Sequence, residues 1–275
     1  MLNEMMRAEI WLQDHLSSHQ GIDDLANRLG YSTSQVRRKF KQCFGVSPSA
    51  YRDILRLEKA ARLLALTPYR ISTIAVRSGY HNHSAFSRAF QRRYNQTPRQ
   101  YRQVQREKLR SPDYCQGHSG APPAFDICKI PPRQALVTRL YQDGDTSSLD
   151  NLLHWAQLTK GADNLPERLK QAPAVAVLHC SPLPCELERI DVGPLIDEQA
   201  ADGLAIPASF RLLQLPAQRH ACMTLDSLEE IPATVRSLVR DGLASKHCYA
   251  SGEPAQVRLL DKGVELLLPI LVSNT

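Results

Sequence analysis

Leu-Ala-Asn-Arg-Leu-Gly-Tyr at residues 25–31 returns as Ile-Ala-Val-Arg-Ser-Gly-Tyr at residues 74–80. Ala26/Ala75, Arg28/Arg77, Gly30/Gly79 and Tyr31/Tyr80 match at an offset of 49. One residue is then inserted in the second copy. The offset becomes 50 for Ser34/Ser84, Arg38/Arg88, Phe40/Phe90, Pro48/Pro98, Tyr51/Tyr101 and Arg52/Arg102. The N-terminal part of the chain is therefore a duplication, and each copy reads as helix, turn, helix. In the first, Ile22, Leu25, Ala26 and Leu29 recur at helical spacing, and Asp23 and Asp24 fall in the first turn, where carboxylates suit the helix dipole. Gly30 follows the last apolar position and suits the left-handed conformation that ends a helix. Ser32 or Thr33 caps the next helix, which keeps Val36 and Phe40 on one face. The second copy repeats the logic with Ile71, Ile74 and Ala75, then Gly79, then a helix with Phe86 and Phe90 inward. Two helices joined by a short Gly-containing turn are the signature of a helix-turn-helix.

The face of the second helix opposite its apolar pair is the one that meets DNA in such a motif. At ~100° per residue, Ser34, Arg38 and Lys41 fall opposite Val36 and Phe40, with Arg37 at the flank. Ser84, Arg88 and Gln91 fall opposite Phe86 and Phe90, with Asn82 and His83 near the helix N-terminus. A lone arginine on such a face is a solvated surface residue; the pair Arg38/Arg88 recurs at the same point of both copies. Between the units a long helix is expected over 49–66, with Ile54, Leu57, Ala61 and Leu64 as its apolar stripe and Pro68 beyond its end. Eighteen residues at ~1.5 Å each span about 27 Å, compatible with two recognition helices set roughly 34 Å apart, one turn of DNA. One monomer then suffices to place both in successive major grooves. Arg52 and Arg102 either reach the DNA backbone or brace the fold.

Charge divides the chain in the same way. Residues 1–110 hold 20 Lys+Arg against 8 Asp+Glu, whereas 111–275 hold 14 against 20. Sixteen of the first 20 are arginine, whose planar fork suits phosphates and guanine edges. A split of this kind joins a nucleic-acid-binding half to a half with another task. No stretch approaches the ~18–20 consecutive apolar residues of a membrane helix, and residues 1–20 lack the continuous apolar core of a signal peptide, so a cytoplasmic protein with no membrane partner is expected. The seven cysteines have scattered spacings, unlike a disulfide framework. His179, Cys180 and Cys185 lack a second cluster to complete a zinc site. Neither metal nor cofactor is expected.

Gly79-Tyr80, Phe86-Ser87-Arg88-Ala89-Phe90, Thr97-Pro98 and Tyr101-Arg102 resemble the signature of the AraC/XylS family of transcription regulators. The resemblance covers about 100 residues. It implies a seven-helix domain with two helix-turn-helix units, base contacts from Ser34, Arg37, Arg38, His83, Ser84 and Arg88, contact with RNA polymerase, and a role as activator. Asn95 departs from the pattern where the family usually has glycine, and Ser34 where some members carry a large aromatic.

Residues 109–124, rich in Ser, Pro and Gly, read as a linker, which bounds a DNA-binding domain at 1–108 and a second domain at 125–275. The second reads as α+β, with strands at 135–141, 175–179, 188–195, 221–225 and 264–271 and helices at 148–158 and 232–243. A strand–helix–strands unit thus occurs twice, as a pseudo-duplication. This order, with Arg189-Ile190-Asp191-Val192, the stretch around His220-Ala221 and the run from Glu265 to Pro269, resembles the GyrI-like effector-binding domain. That resemblance implies a cleft between the pseudo-repeats for a small, apolar or cationic molecule. Tyr141, Trp155 and Glu265 are the candidate pocket residues, against core packing for Trp155 and a surface salt bridge for Glu265. A buried carboxylate in an apolar cleft favours a cationic partner.

The leading expectation is a regulator whose C-terminal domain binds a small-molecule effector and alters DNA binding by the N-terminal one. Two alternatives stand beside it. One is a GyrI-like small-molecule hydrolase fused to a DNA-binding domain; the other is an architectural DNA-binder with a protein-interaction domain. No Ser-His-Asp pattern, phosphate-binding Gly loop or zinc pair is present, and an enzyme is not expected.

Overall fold

A computed structural model describes residues 2–18, 20–111, 124–142, 167–179, 187–196, 206, 209–260 and 262–272. It divides into two units, Met1–Glu107 and Lys108–Thr275. None of the helices among the described residues is long and apolar enough to cross a membrane.

Helices account for the first unit: α1 (Leu2–Asp14), α2 (Ile22–Leu29), α3 (Thr33–Phe44), α4 (Pro48–Leu66), α5 (Ile71–Arg77), α6 (His83–Tyr94) and α7 (Pro98–Arg110). Their ends follow from side-chain chemistry. Ser32 Oγ accepts from the Gln35 amide while Gln35 reaches back to the Ser32 amide, the reciprocal cap that satisfies the orphan donors of a helix start. Asn82 Oδ1 accepts from the amides of Ser84 and Ala85 and so caps α6. The two recognition helices end alike: Gly45 takes φ 74° and Asn95 φ 53°. Asparagine is among the few non-glycine residues that tolerate this region, so its departure from the expected glycine is accommodated.

Two separate cores result. Met5, Ala8, Trp11 and Leu12 of α1 join Leu25, Ala26, Val36, Phe40, Tyr51 and Leu55 in the first. Leu57, Ala60, Ala61, Leu63 and Leu64 join Ile74, Ala75, Phe86 and Phe90 in the second. The linking helix serves both, the beginning of α4 facing one core and its remainder the other. That is why the simple stripe expected for it is wrong in detail: Ile54 is half-buried, while Leu55, Glu58, Ala60 and Leu63 are buried.

The second unit is built on antiparallel strands: β1 (Asp126–Ile130), β2 (Arg133–Gln142), β3 (Ala174–Leu178), β4 (Glu188–Ile196), β5 (Arg211–Leu215), β6 (Gln218–Leu225), β7 (Cys248–Ala250), β8 (Ala255–Leu259) and β9 (Val264–Val272). Helix α8 (Glu167–Lys170) precedes β3. After β6 comes α9 (Glu230–Ser237), continued through a π-helical turn at Leu238–Gly242 to the short α10 (Leu243–Ser245). The helix expected at 148–158 lies outside the described residues, as does most of the linker.

Strand order is β1-β6-β9-β8-β3-β4-β2-β5, with β7 on β9. Read from its centre the order is symmetric. The hairpin β3–β4 carries β2 and then β5 on one side, and the hairpin β8–β9 carries β6 and then β1 on the other. The two halves meet at β3 and β8, where Val175, Ala176, Val177 and Leu178 pair with Arg258, Val257, Gln256 and Ala255. The pseudo-duplication expected from the order of elements is thus present in the hydrogen-bonding pattern. At Gly193 of β4 a Cβ would lie 1.9 Å from the Leu136 carbonyl oxygen, so only glycine admits so close a neighbouring backbone.

Register assigns the faces. Leu136, Ile196 and Leu212 cluster with Leu169 of α8 and Phe210. The opposite face is crossed by one continuous row: Arg139, Asp191, Val177, Gln256, Leu267, Cys222 and Asp126, each paired with the next. Arg133, on this second face of β2, donates from Nη2 to Gln256 Oε1 of β8 at 2.9 Å. Three strand spacings amount to ~14 Å in a flat sheet, so the sheet curls around this face.

Candidate nucleic-acid interface and the charged face of the sheet

The recognition faces of α3 and α6 are matched position by position. Val36 and Phe40, Phe86 and Phe90 are buried completely. Ser34, Arg37, Arg38 and Lys41 are exposed on α3, and His83, Ser84, Arg88 and Gln91 on α6. All seven expected DNA contacts therefore stand in solvent on the two second helices of the pairs, each backed by an aromatic anchor. Asn82, read from the sequence as lying near the helix N-terminus, uses its side-chain oxygen to cap the helix.

What fixes those helices is duplicated as well. Behind α3, Phe40, Phe44 and Tyr51 form a trio with ring centroids 4.6, 5.4 and 5.3 Å apart. Behind α6, Phe90, Tyr94 and Tyr101 form the same trio at 4.6, 5.2 and 5.0 Å. Tilted and edge-on rings at such separations attract beyond their burial. Arg52 Nη1 donates to the Gln20 carbonyl at 2.6 Å and its Nη2 to the carbonyls of Ser18, at 2.8 Å, and His15. Arg102 Nη2 donates to the Tyr69 carbonyl at 2.6 Å. The carbonyls of Gln20 and Tyr69 precede the first helix of each pair by the same interval. Of the two roles open to Arg52 and Arg102, the geometry selects the brace: each ties the segment before a helix pair to the helix after it.

In the second unit, Asp191 is fully buried. Its Oδ1 accepts from Arg139 Nε at 2.8 Å. Its Oδ2 accepts from Arg139 Nη2 at 2.8 Å, His179 Nε2 at 2.7 Å and Arg211 Nη2 at 2.6 Å. Burial alone pushes the Asp191 carboxyl up, but Arg139 and His179 outweigh it and hold it well below the usual carboxylate range. Burial pushes His179 down to about 4, with Arg139 adding to the effect against the pull of Asp191. Glu265 is held by Arg258 across the β8–β9 pair. Its carboxylate is therefore compensated, and the cationic partner that an unpaired Glu265 implied loses its reason. Tyr141 is half-buried near the end of β2, opposite Arg189, and Trp155 lies outside the described residues. Among the three pocket candidates, then, Tyr141 and Glu265 are placed on one face of the sheet but four strands of the order apart.

This face has a pH consequence. A histidine whose folded pKa lies below its ordinary 6.5 contributes stability above that value and loses it as pH falls toward the folded pKa, which is about 4 for both His179 and His220. Asp191 is depressed too, and its contribution is lost at still lower pH. For buried His179 the loss by pH 4 is on the order of 3 kcal/mol. Thermal unfolding should show the midpoint of the C-terminal unit falling steadily between pH 6.5 and 4. A midpoint that stays level across that interval contradicts this account of the two histidines.

A family model described as a helix-turn-helix domain matches residues 25–104. The transcriptional regulator Rob of Salmonella typhimurium is 38% identical over 93 residues, which are 34% of this chain and 32% of that protein. The transcriptional activator RhaS of Escherichia coli is 37% identical over 93 residues, 34% of each. The C-terminal domain of AraT, a response regulator from Geobacillus stearothermophilus, is a solved structure 35% identical to this chain. The match covers 37% of this chain and 84% of that one, with a TM-score of 0.36. The N-terminal unit carries an AraC-type helix-turn-helix domain. The chain spans about a third of the length of the curated relatives it matches, and in each case the shared part is this AraC-type domain. The residues that sequence reasoning missed lie in the other unit: Arg133, Arg139, Arg211, Gln256 and His220 are inward-facing polar residues on strands. Their only signal was strand alternation, which puts Arg133 and Arg139 on the same side of β2 as buried Ala135 and Val137.

Proposed function

We propose that this protein is a sequence-specific DNA-binding transcription regulator, with the AraC-type domain as its output and the C-terminal sheet unit, read as a GyrI-like effector-binding domain, as its input. The observation that carries the reading is the duplicated recognition face, in which Arg38 and Arg88 stand at the same point of two helices anchored by the same aromatic trio. Double-stranded DNA is the partner, met in two successive major grooves by one chain. RNA polymerase is the second partner by family resemblance. For the input, support comes from a sheet of two symmetric halves curled around a buried charged face. An effector acts there only through different affinities for two states of the protein.

Arg38→Ala and Arg88→Ala should each weaken specific binding by about 1–3 kcal/mol and relax base preference at the positions they read. Mobility shifts against a panel of duplexes measure this. A loss that is equal on every sequence reassigns the two residues to phosphate contacts. Absence of any sequence-selective duplex binding at physiological salt overturns the reading, since phosphate contacts alone give binding without selectivity.

A further inference from the structure

The curled face of the sheet holds donors that none of the described residues satisfies. Arg133 uses Nη2 on Gln256, but its Nε and Nη1 are buried with no hydrogen-bond partner. His220 of β6 is 1% exposed; among the described residues its ring nitrogens have no partner of good hydrogen-bond geometry, and only the Gln218 backbone approaches the ring. The two side chains share one face of the sheet and lie within electrostatic reach. Burial first, and then the Arg133 charge, push His220 down to about 4, against a pull from the Gln218 backbone. A buried polar group without a partner costs ~1–3 kcal/mol, and native proteins leave few of them. Two together, on strands from opposite halves of the sheet, call for a group that arrives from outside.

The charges around them fix its sign. Glu265 is taken by Arg258, which leaves the Arg133 charge in surplus, and a neutral His220 offers one donor and one acceptor. In the neighbouring cluster one buried carboxylate, Asp191, serves both Arg139 and Arg211. We propose that Arg133 and His220 form the seat of a small organic anion, a carboxylate-bearing effector that accepts from the free Arg133 donors and from the His220 ring and lays its apolar part along Val177 and Leu267. This rests on reading the C-terminal unit as an effector domain and names the charge of the effector, opposite to the cation expected from Glu265 alone.

The test is calorimetric titration of the full chain with benzoate, 4-hydroxybenzoate, inorganic phosphate and benzylamine at one ionic strength. A carboxylate should bind saturably at one site per chain, with phosphate and benzylamine at least tenfold weaker. Arg133→Gln and His220→Phe should each weaken carboxylate binding tenfold or more. Two controls accompany them: Lys129→Gln, an exposed site on β1, leaves binding unchanged, and thermal unfolding reports whether each variant is folded. If one variant fails to fold, the other carries the test. Benzylamine binding as tightly as benzoate overturns the anion seat and leaves the effector reading standing. Phosphate outcompeting both carboxylates, unchanged benzoate affinity in a folded Arg133→Gln chain, or no saturable binding of any probe also overturns the seat.

Discussion

Asp191→Ala is expected to destabilise the C-terminal unit by about 3–5 kcal/mol, the range for breaking a buried ion pair by removing one partner. The size follows from what stays behind. Arg139 is buried and puts both Nε and Nη2 on this carboxylate, and Arg211 and His179 converge on the same Oδ2. Alanine leaves two guanidinium groups close together in a low dielectric with the carboxylate between them gone. Chemical denaturation followed by circular dichroism measures the loss, and the AraC-type domain should still shift its duplex. A change below about 1 kcal/mol would mean that the cluster is hydrated and that its charges are screened. Replacing the cluster together with well-packed apolar residues is a different experiment, because buried ion pairs often give no more stability than such residues do.

Phe90→Ala should cost about 3–5 kcal/mol in the second helix-turn-helix core. Phe90 is completely buried and touches Phe86, Tyr94 and Tyr101 with ring centroids 5.6, 4.6 and 5.2 Å away. The cavity opens directly under the helix that presents Ser84 and Arg88. Phe40→Ala should act alike under Ser34 and Arg38, since its trio has the same geometry. Denaturant titration of the full chain, resolved for the helical unit, reads both. A loss under about 1.5 kcal/mol at either site means that the neighbouring rings collapse into the space.

The N-terminal fold was legible because duplication doubled every signal. Gly30 and Gly79, Phe40 and Phe90, Pro48 and Pro98 each vouched for the other, and helical periodicity is a local property that short-range side-chain spacing reveals. The sheet was legible only where strands are long and apolar. β3, β4 and β9 are nearly continuous runs of buried residues and stood out. β5 did not: Arg-Leu-Leu-Gln-Leu has no β-branched residue, and its extended form comes from pairing with β2 at the edge of the sheet. β7 is three residues long and exists only against β9. Long-range pairing also hid the charged face. Arg133 and Gln256 are 123 positions apart in the chain, and nothing local announces that one reaches the other. Glu265 was picked out from its setting in the last strand, but its Arg258 partner across a hairpin changed the meaning of its charge.

The sharing of α4 between two independent cores has a kinetic consequence. Each recognition helix has its own hydrophobic support, yet both are carried on a single helix of 19 residues, ~28 Å long. In the proposed two-groove binding, when one reader leaves its groove the other holds it beside the vacated site at an effective concentration of roughly millimolar. Return is then a local event rather than a search through solution. Dwell time on the operator becomes a product of two partial releases, so damage to a single half-site shortens occupancy steeply without slowing arrival.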